Sequence, residues 1–503
     1  MDQAKIDKRI RIPALQKKIM SAAQAADFIK DGMVVGMSGF TRAGDPKEIP
    51  FEFAKLAEGG KRKVYLMTGA SLGADVDGAM ARAGAISKRT PFMSDRDMRT
   101  AINNGSIPYF DLNLGDLAFQ IRNKQLPDPD IAVIEALSIT EDGYLVPTTS
   151  VGSTDVFLEK AKQILIEINM AMPDNFEGVH DIYVPRRREM PEAGIIPILD
   201  VNNRVGTIGC KFDPSKVVGI VLVNKMDSAS ENVLADPAQD AMAVNLRNFF
   251  LGEIKAGRMT PALFPLQAGV GSVANAGLWG LLEGPFQGLT MWSEVLQDST
   301  WDLIDSGRMT FATGTAITVS PKKTEEVYGN WERYKNKVCL RPIYITNSAE
   351  IIKRINLIAV NTAMDVDIYG NVNSTNIAGS NMQNGIGGSG DFAVNAHTTI
   401  FMTRAASADG RLSRVLPMVP HVDHNEHNVD IIITDQGIAD LRGKSPRERA
   451  VEIIRVSDPD YKPMLQDYFA KACERGGHTP HILERAFEFF DNQRKSATKS
   501  MKG

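Results

Sequence analysis

The sequence predicts an α/β protein made of two related open-sheet halves that face a common cleft, and three observations carry that prediction. Short apolar runs recur that end in Gly, Ser or Thr and lead into helical patterns, as parallel strands of an α/β sheet do. A stretch that begins at Ile131 returns at Ile358. Glycine turns gather at the predicted strand ends, where ligands of such sheets bind.

At 503 residues the chain exceeds what one core ordinarily holds, so at least two domains are expected. Hydrophobic content of 43% and charge of 23% are those of a globular protein. The net charge of −4 gives no footprint for nucleic acid, and no run reaches the roughly 18 apolar residues of a membrane span. The expected partners are small molecules and further copies of the chain. Cys210, Cys339 and Cys473 are widely spaced and read as reduced thiols. With an N-terminus, MDQAKIDKRIRIPALQKKIM, that lacks a secretory apolar core, they predict a cytoplasmic location.

Taken in order, Ser21 to Phe28 predicts a short helix and Met33 to Phe40 a buried strand entering a glycine turn. Lys63 to Ser71 repeats that strand-and-turn pattern. Asp130 to Leu137 and Ile164 to Ile168 predict further strands, with a long helix near Val156 to Lys162 between them. IAVIEALSITEDGYLVPTTSVGS, from Ile131 to Ser153, overlays IAVNTAMDVDIYGNVNSTNIAGS, from Ile358 to Ser380, at a constant offset of 227. Identities include Val133/Val360, Ala136/Ala363, Gly143/Gly370, Thr148/Thr375 and Gly152/Gly379. Such an ungapped echo indicates two related halves. The boundary is placed in the polar stretch Lys225 to Asn232, giving domains 1–226 and 227–503. An amphipathic helix is expected around His481 to Phe490, followed by a Lys-rich end.

The most informative stretch runs from Leu263 to Asp298, LFPLQAGVGSVANAGLWGLLEGPFQGLTMWSEVLQD. Gly269-x-Gly271-x-x-Ala274 satisfies a loose dinucleotide fingerprint, and Glu294 lies where a ribose-binding acid would fall. Pro265 argues against it, because a central strand does not tolerate proline. In the competing reading Glu294 is a nucleophile, the glycine-loop amides are its oxyanion donors and Ser272 caps the next helix. A plain helix-capping loop is the third possibility. A second loop, Gly385 to Asp391, has four glycines in six residues, which lets backbone approach a ligand closely. Asn347 by itself reads equally well as an Asx turn that ends a strand. His421, His424 and His427, with Asp423 and Glu426, imitate a metal cluster, but Pro420 and the Asn-rich context indicate a loop, and no metal site is expected. Trp279, Trp292, Trp301 and Trp331 read as core or cleft wall.

The segments PLQAGVGSVANA, WSEVLQD, DIYGNVNST, NGIGGSGDF, PHVDH, TDQGIADLRG and PMLQDYF span most of the chain. SGFTRAG, PKEIP and EDGYLVPTTSVG join them in the N-terminal half. On these motifs the chain resembles the acetyl-CoA hydrolase/transferase family of class I CoA-transferases, and is most similar to its succinyl-CoA:acetate branch. The resemblance implies two CoA-transferase (NagB-like) α/β domains with the active site in the cleft between them. It implies Glu294 as the nucleophile, an oxyanion hole from the amides of Val270 and Gly388, and Asn347 orienting the reacting groups. Gln267, Ala268, Gly269, Val270, Gly271, Met364, Asn384 and Gly388 would contact CoA, and Ser71 with Ser94 would line the acid side. CoA would be a substrate, with no permanently bound cofactor, and a homodimer is expected.

Two positions depart from the family pattern. Asp435 stands where the TEQG motif has glutamate, which puts its contact with Glu294 or its loop in doubt, and Ala408 stands where relatives often carry a lysine near CoA. The implied reaction is CoA transfer between succinyl-CoA or acetyl-CoA and acetate or succinate. Acetyl-CoA hydrolysis and propionyl-CoA:succinate exchange are alternatives on the same scaffold. A non-catalytic nucleotide-binding module using the Gly269 loop is the alternative of another class.

Overall fold

A computed structural model describes residues 3–185, 195–228 and 236–488. The first half is a six-stranded parallel sheet made of β1 (Val34–Met37), β2 (Val64–Thr68), β3 (Ile86–Thr90), β4 (Ile131–Ala136), β5 (Gln163–Asn169) and β6 (Val217–Val223), in the order β3-β2-β1-β4-β5-β6. The second half has eight strands: β7 (Leu266–Ala268), β8 (Leu289–Trp292), β9 (Met309–Gly314), β10 (Val338–Leu340), β11 (Ile358–Thr362), β12 (Thr398–Met402), β13 (Ile431–Thr434) and β14 (Gly437–Asp440). Their order is β10-β9-β8-β7-β11-β12-β13-β14, and only the β13–β14 pair is antiparallel.

The two orders are the same order. Removing β10 and β14 from the second sheet leaves β9-β8-β7-β11-β12-β13, which repeats β3-β2-β1-β4-β5-β6 strand for strand. The echo seen in the sequence is the fourth of these strands and the hairpin after it. Ser138–Ile139 pairs antiparallel with Tyr144–Val146, and Asp365–Asp367 pairs antiparallel with Val372–Asn373. The aligned glycines close equivalent turns: Gly143 N donates to Thr140 O at 3.2 Å and Gly370 N to Asp367 O at 3.0 Å. Both have positive φ, +79° and +100°, where a side chain is strained.

Strands β4 and β11 are apolar because both of their faces are covered, as central parallel strands require; every residue of β4 is buried. The helix expected at Ser21 to Phe28 forms as the short α1 (Ala22–Ala26), started by a capping box between Ser21 and Gln24. Farther along the chain lie α2 (Thr154–Lys160), α3 (Pro237–Lys255), α4 (Ser272–Trp279) and α5 (Ser389–Asn395). The helix expected near Val156 to Lys162 starts earlier and is only seven residues long, because Ala161 turns extended. Of the helix expected at His481 to Phe490, the stretch up to Arg485 is a 3₁₀ turn at Leu483–Arg485, with Tyr468 holding His481 at 3.0 Å and Ile482 N at 3.1 Å; residues 489 and 490 lie outside the described residues. The Lys-rich end lies outside the described residues.

The first sheet ends at Val223 and the second begins at Leu266; Asp227, just past the division expected at 226/227, bonds back to Lys47 and Thr149 of the first half. The halves share apolar contacts. One buried cluster takes Leu145 and Phe157 from the first half with Leu266, Leu296 and Trp301 from the second. Main-chain bonds cross the junction from Val151 N to Thr315 O at 2.8 Å and from Ile343 N to Gly152 O at 2.9 Å.

If the matched turns hold the repeat together, Gly143→Ala should destabilise the protein by about 1 kcal/mol through backbone strain alone. Its added methyl would meet nothing within 4 Å. A urea midpoint identical to wild type would contradict this.

Candidate active site

The second sheet delivers its functional groups from the ends of β7, β8 and β11. Strand β8 leads through Ser293 to Glu294, after which Val295–Leu296 pairs with Ala316–Ile317. Glu294 O accepts from Thr315 N at 2.7 Å and Ala316 N at 3.0 Å, so its backbone is clamped and its side chain has a defined starting point. Beside it, β7 runs into Gly269-Val270-Gly271 and then α4. The objection raised by Pro265 does not hold: the central strand begins one residue later, at Leu266, and Pro265 needs only its carbonyl, which accepts from Ile358 N at 2.9 Å. Nor does Ser272 cap α4. Gly271 occupies the cap position with φ +124°, and Ser272 Oγ accepts from Gln239 Nε2 at 2.9 Å.

The loop amides are not equivalent. Gly269 N donates to Val360 O and Gly271 N to Gln297 Oε1, each at 2.9 Å. Val270 N has no acceptor among the described residues, and neither does Gly388 N in the second glycine loop. With Glu294 they border a cavity of about 340 Å³, walled also by Phe40, Ser71, Phe92, Ser94, Asn361, Met364, Ser374 and Asn384. A dinucleotide site needs several loop amides turned to a pyrophosphate; here bonds to Val360 and Gln297 engage the amides of both fingerprint glycines.

Gly388 is glycine because of Glu294. A methyl there would stand 1.8 Å from Glu294 Oε1 and 2.4 Å from Asn347 Nδ2. A methyl on Gly390 would likewise stand 2.2 Å from Asn113 Oδ1. The glycine-rich loop is therefore a close approach of backbone to side chains, chiefly to the Glu294 carboxylate.

Glu294 is 9% exposed and has one donor among the described residues, Asn347 Nδ2, at 2.8 Å from Oε1. Burial pushes its carboxyl up to about 8, against the pull of the Asn347 hydrogen bond and with further help from the Asp391 carboxylate. A largely buried carboxylate of raised basicity at the cavity wall, flanked by two free amides, is suited to attack an activated acyl carbon whose oxygen gains negative charge.

The family model of the acetyl-CoA hydrolase/transferase N-terminal domain matches residues 3–222, and that of the C-terminal domain matches residues 324–469. The chain belongs to the acetyl-CoA hydrolase/transferase family. Glu294 lies between the matched spans, but similarity to whole relatives is continuous. The chain is 46% identical to the succinyl-CoA:acetate CoA-transferase of Clostridium kluyveri, covering 96% of this chain and 90% of that one. It is 42% identical to the acetyl-CoA hydrolase of Schizosaccharomyces pombe, covering 96% of each. Among solved structures, RipA from Yersinia pestis aligns with a TM-score of 0.69 at 19% identity, over 94% of this chain and all of that one. The 4-hydroxybutyrate CoA-transferase of Porphyromonas gingivalis aligns at 0.61 and 17%, over 91% and 98%. At these identities the last two show the fold alone.

For this acetyl-CoA hydrolase/transferase family member the cavity gathers Glu294, Gly269, Val270, Met364, Asn384, Gly388, Ser71 and Ser94 on one wall system, with Asn347 bonded to Glu294 from behind. Gln267, Ala268 and Gly271 are not on that wall. Gln267 and Ala268 are buried in the central strand β7, where Gln267 exchanges two 3.2 Å bonds with Asn361, and Gly271 is turned to Gln297. Asp435 is not brought to Glu294. Its carboxylate accepts from Ala405 N and Gln436 Nε2, each at 2.7 Å, which secures the segment after β12. Ala408 is exposed in the turn closed by Gly410 N to Ser407 O at 2.8 Å. The three histidines diverge: His424 is buried with Nε2 3.1 Å from Ser389 Oγ, His421 sits 3.2 Å from Asp423, and His427 faces solvent. Asp423 ties the turn before the cavity by accepting from Ser374 N at 2.6 Å. Trp292, Trp301 and Trp331 are buried in the core, whereas Trp279 is part-buried off the cavity and donates to Asp302 Oδ2 at 2.7 Å; Trp292 Nε1 donates to Thr346 O at 2.7 Å beside Asn347.

Sequence reasoning missed Asp391, Asn361, Ser389 and the strap from Asp111 to Asp116 of the first half. Asp111 Oδ2 accepts from Ile386 N at 2.7 Å and Leu114 N donates to Gly387 O at 3.2 Å. Asp391, at the end of the singled-out glycine loop, was the one legible signal.

This geometry makes two outcomes testable. Gly388→Ala should lower turnover by about 10² or more while leaving the circular dichroism spectrum unchanged, because the methyl displaces the Glu294 carboxylate. Glu294→Gln should raise thermal stability more at pH 9 than at pH 5. A carboxyl whose folded pKa is raised binds its proton more tightly in the folded state. Its penalty is therefore absent below the unfolded value and grows as pH rises to about 8, reaching on the order of a few kcal/mol. Equal melting shifts at both pH values would show that Glu294 is hydrated.

Proposed function

We propose that this chain transfers CoA between an acyl-CoA and a small carboxylic acid, with Glu294 as the covalent relay. A Glu294 carboxylate oxygen attacks the thioester carbonyl, the C–S bond breaks, and an acyl-glutamyl anhydride forms with CoA thiolate as leaving group. The thiolate then attacks the glutamyl carbonyl and releases the first acid as carboxylate, leaving a glutamyl-CoA thioester. An incoming carboxylate runs the two steps backward and leaves as the new acyl-CoA. Each exchange is nearly balanced, so the thioester energy is kept.

The observation that carries this reading is the buried Glu294 carboxylate set against Gly388, with the unengaged amides of Val270 and Gly388 on the same cavity wall. Those amides are suited to the oxygen of each tetrahedral intermediate. The relative named succinyl-CoA:acetate CoA-transferase supports acetate and succinate as the acids. Thr41, Ser71 and Ser94, beside Phe40, Phe92 and Leu114, give the first-half side of the cavity hydroxyls set among apolar side chains, which fits a short acid such as acetate. CoA is consumed and regenerated as a substrate in this scheme, and the protein works as a homodimer in the cytoplasm.

Hydrolysis is the second reading, since the relative from Schizosaccharomyces pombe is named acetyl-CoA hydrolase. It needs water to reach the anhydride or the glutamyl thioester. Acyl-CoA supplied without acceptor should leave a CoA adduct, seen by mass spectrometry on the peptide carrying Glu294 and lost on borohydride treatment. Wild-type protein that turns over but never shows this adduct rules out the relay. Release of free CoA that does not change when acetate or succinate is added favours the hydrolase.

A further inference from the structure

Asn347 has to present nitrogen, and not oxygen, to Glu294, yet a primary amide turned over occupies nearly the same shape. Something beyond packing must choose. Asn347 Nδ2 stands 2.8 Å from Glu294 Oε1 and 2.8 Å from Asp391 Oδ2, so its two N–H groups serve one carboxylate each. Thr346 Oγ1 lies 2.9 Å from Asn347 Oδ1. A turned amide would set its oxygen against two carboxylates.

Asp391 in turn is held from the other half of the molecule. Gly115 N donates to Asp391 Oδ2 at 3.1 Å. Gly115 is pressed so closely on the pair that a methyl there would lie 3.2 Å from both Asn347 Cβ and Asp391 Oδ1. No cation among the described residues pairs with Asp391. The groups facing it are Asn347, the Gly115 amide, the Asp116 carboxylate and, across Asn347, Glu294.

We propose that Asp391 is a positioning residue for the exchange reaction: it orients the Asn347 amide so that Asn347 donates to Glu294. This rests on the reading of Glu294 as the nucleophile. Burial raises Asp391 itself to about 7, and the Asp391 charge adds to the burial that raises Glu294. Because the Asp391 charge raises the Glu294 pKa, removing it lets Glu294 ionise at lower pH. The same removal leaves Asn347 free to turn and weakens the oxygen as a nucleophile.

The test is Asp391→Asn, which is isosteric, assayed for acyl exchange across pH 6 to 10. The expected result is a kcat about tenfold or more lower, a KM for acyl-CoA within about twofold of wild type, and a rising pH limb displaced downward by about half a unit or more. Asp391→Glu keeps the charge, so its limb should stay near that of wild type even where its rate falls. In an Asn347→Ala background the kcat effect of Asp391→Asn should shrink to about twofold or less. An unchanged kcat and limb in Asp391→Asn, a limb equally displaced in Asp391→Glu, or full additivity with Asn347→Ala would overturn the proposal. Should Asp391→Asn fail to fold, Gly115→Ala perturbs the same pair from the other half, and unchanged turnover there overturns it. Loss of the wild-type adduct on Glu294 would sink the relay itself, whereas a normal adduct with an indifferent Asp391→Asn sinks only this inference.

Discussion

The contact between the largely buried Glu294 carboxylate and Asn347 Nδ2 constrains everything around it. A carboxylate with a single donor is poorly compensated, and burial drives its pKa to about 8. That instability is what a nucleophile needs, and the surrounding chain is shaped to keep it. Gly388 carries no side chain because none would fit against Oε1, and the Glu294 backbone is clamped between two strand pairs so that the carboxylate stays in place.

The repeat explains why one half carries a buried glutamate at this strand end and the other does not. Thr68 of β2 lies opposite Met37, and the register that sets Leu266 against Met291 puts Ser293 opposite Ala268. Glu294 thus falls where the first half has Gly69. A methyl on Gly69 would meet Gly39 O at 2.8 Å and Gly152 Cα at 3.3 Å, so that position is closed. The first half uses its strand ends to wall the cavity through Phe40, Ser71, Phe92 and Leu114, and to press Gly115 against Asn347 and Asp391.

The first half also holds its own buried charges. Lys47 Nζ meets Asp45 at 3.1 Å, Glu135 at 2.9 Å and Asp227 at 2.7 Å. Glu167 accepts from Glu48 N at 2.9 Å and Ile49 N at 2.6 Å. Three carboxylates around one ammonium leave an excess of negative charge, and burial raises Glu135 to about 8. The cluster ties β4 and the segment after β1 to Asp227, in the segment that follows β6.

How much of this was legible depends on range. Local pattern determined the parallel strands, the repeat at offset 227 and the glycine turns, because strand periodicity and positive φ are imposed by neighbouring residues; Gly143 and Gly370 are readable for that reason. Family resemblance picked out Glu294, Val270, Gly388 and Asn347, and all but Asn347 line one cavity, with Asn347 bonded behind Glu294. Local pattern misjudged Pro265, since a strand of three residues beginning just after it needs no amide from the proline. It also misjudged Ser272, whose hydroxyl goes to Gln239. The sequence by itself thus determined which residues could carry the chemistry and on which kind of element. Only the tertiary structure decided that Asp435 serves Ala405 and not Glu294, that Gln267 lies beneath the cavity and not on it, and that Asp391 and Gly115 share Asn347. Those assignments depend on hydrogen bonds and close approaches between segments tens to hundreds of residues apart, and spacing along the chain carries no record of them.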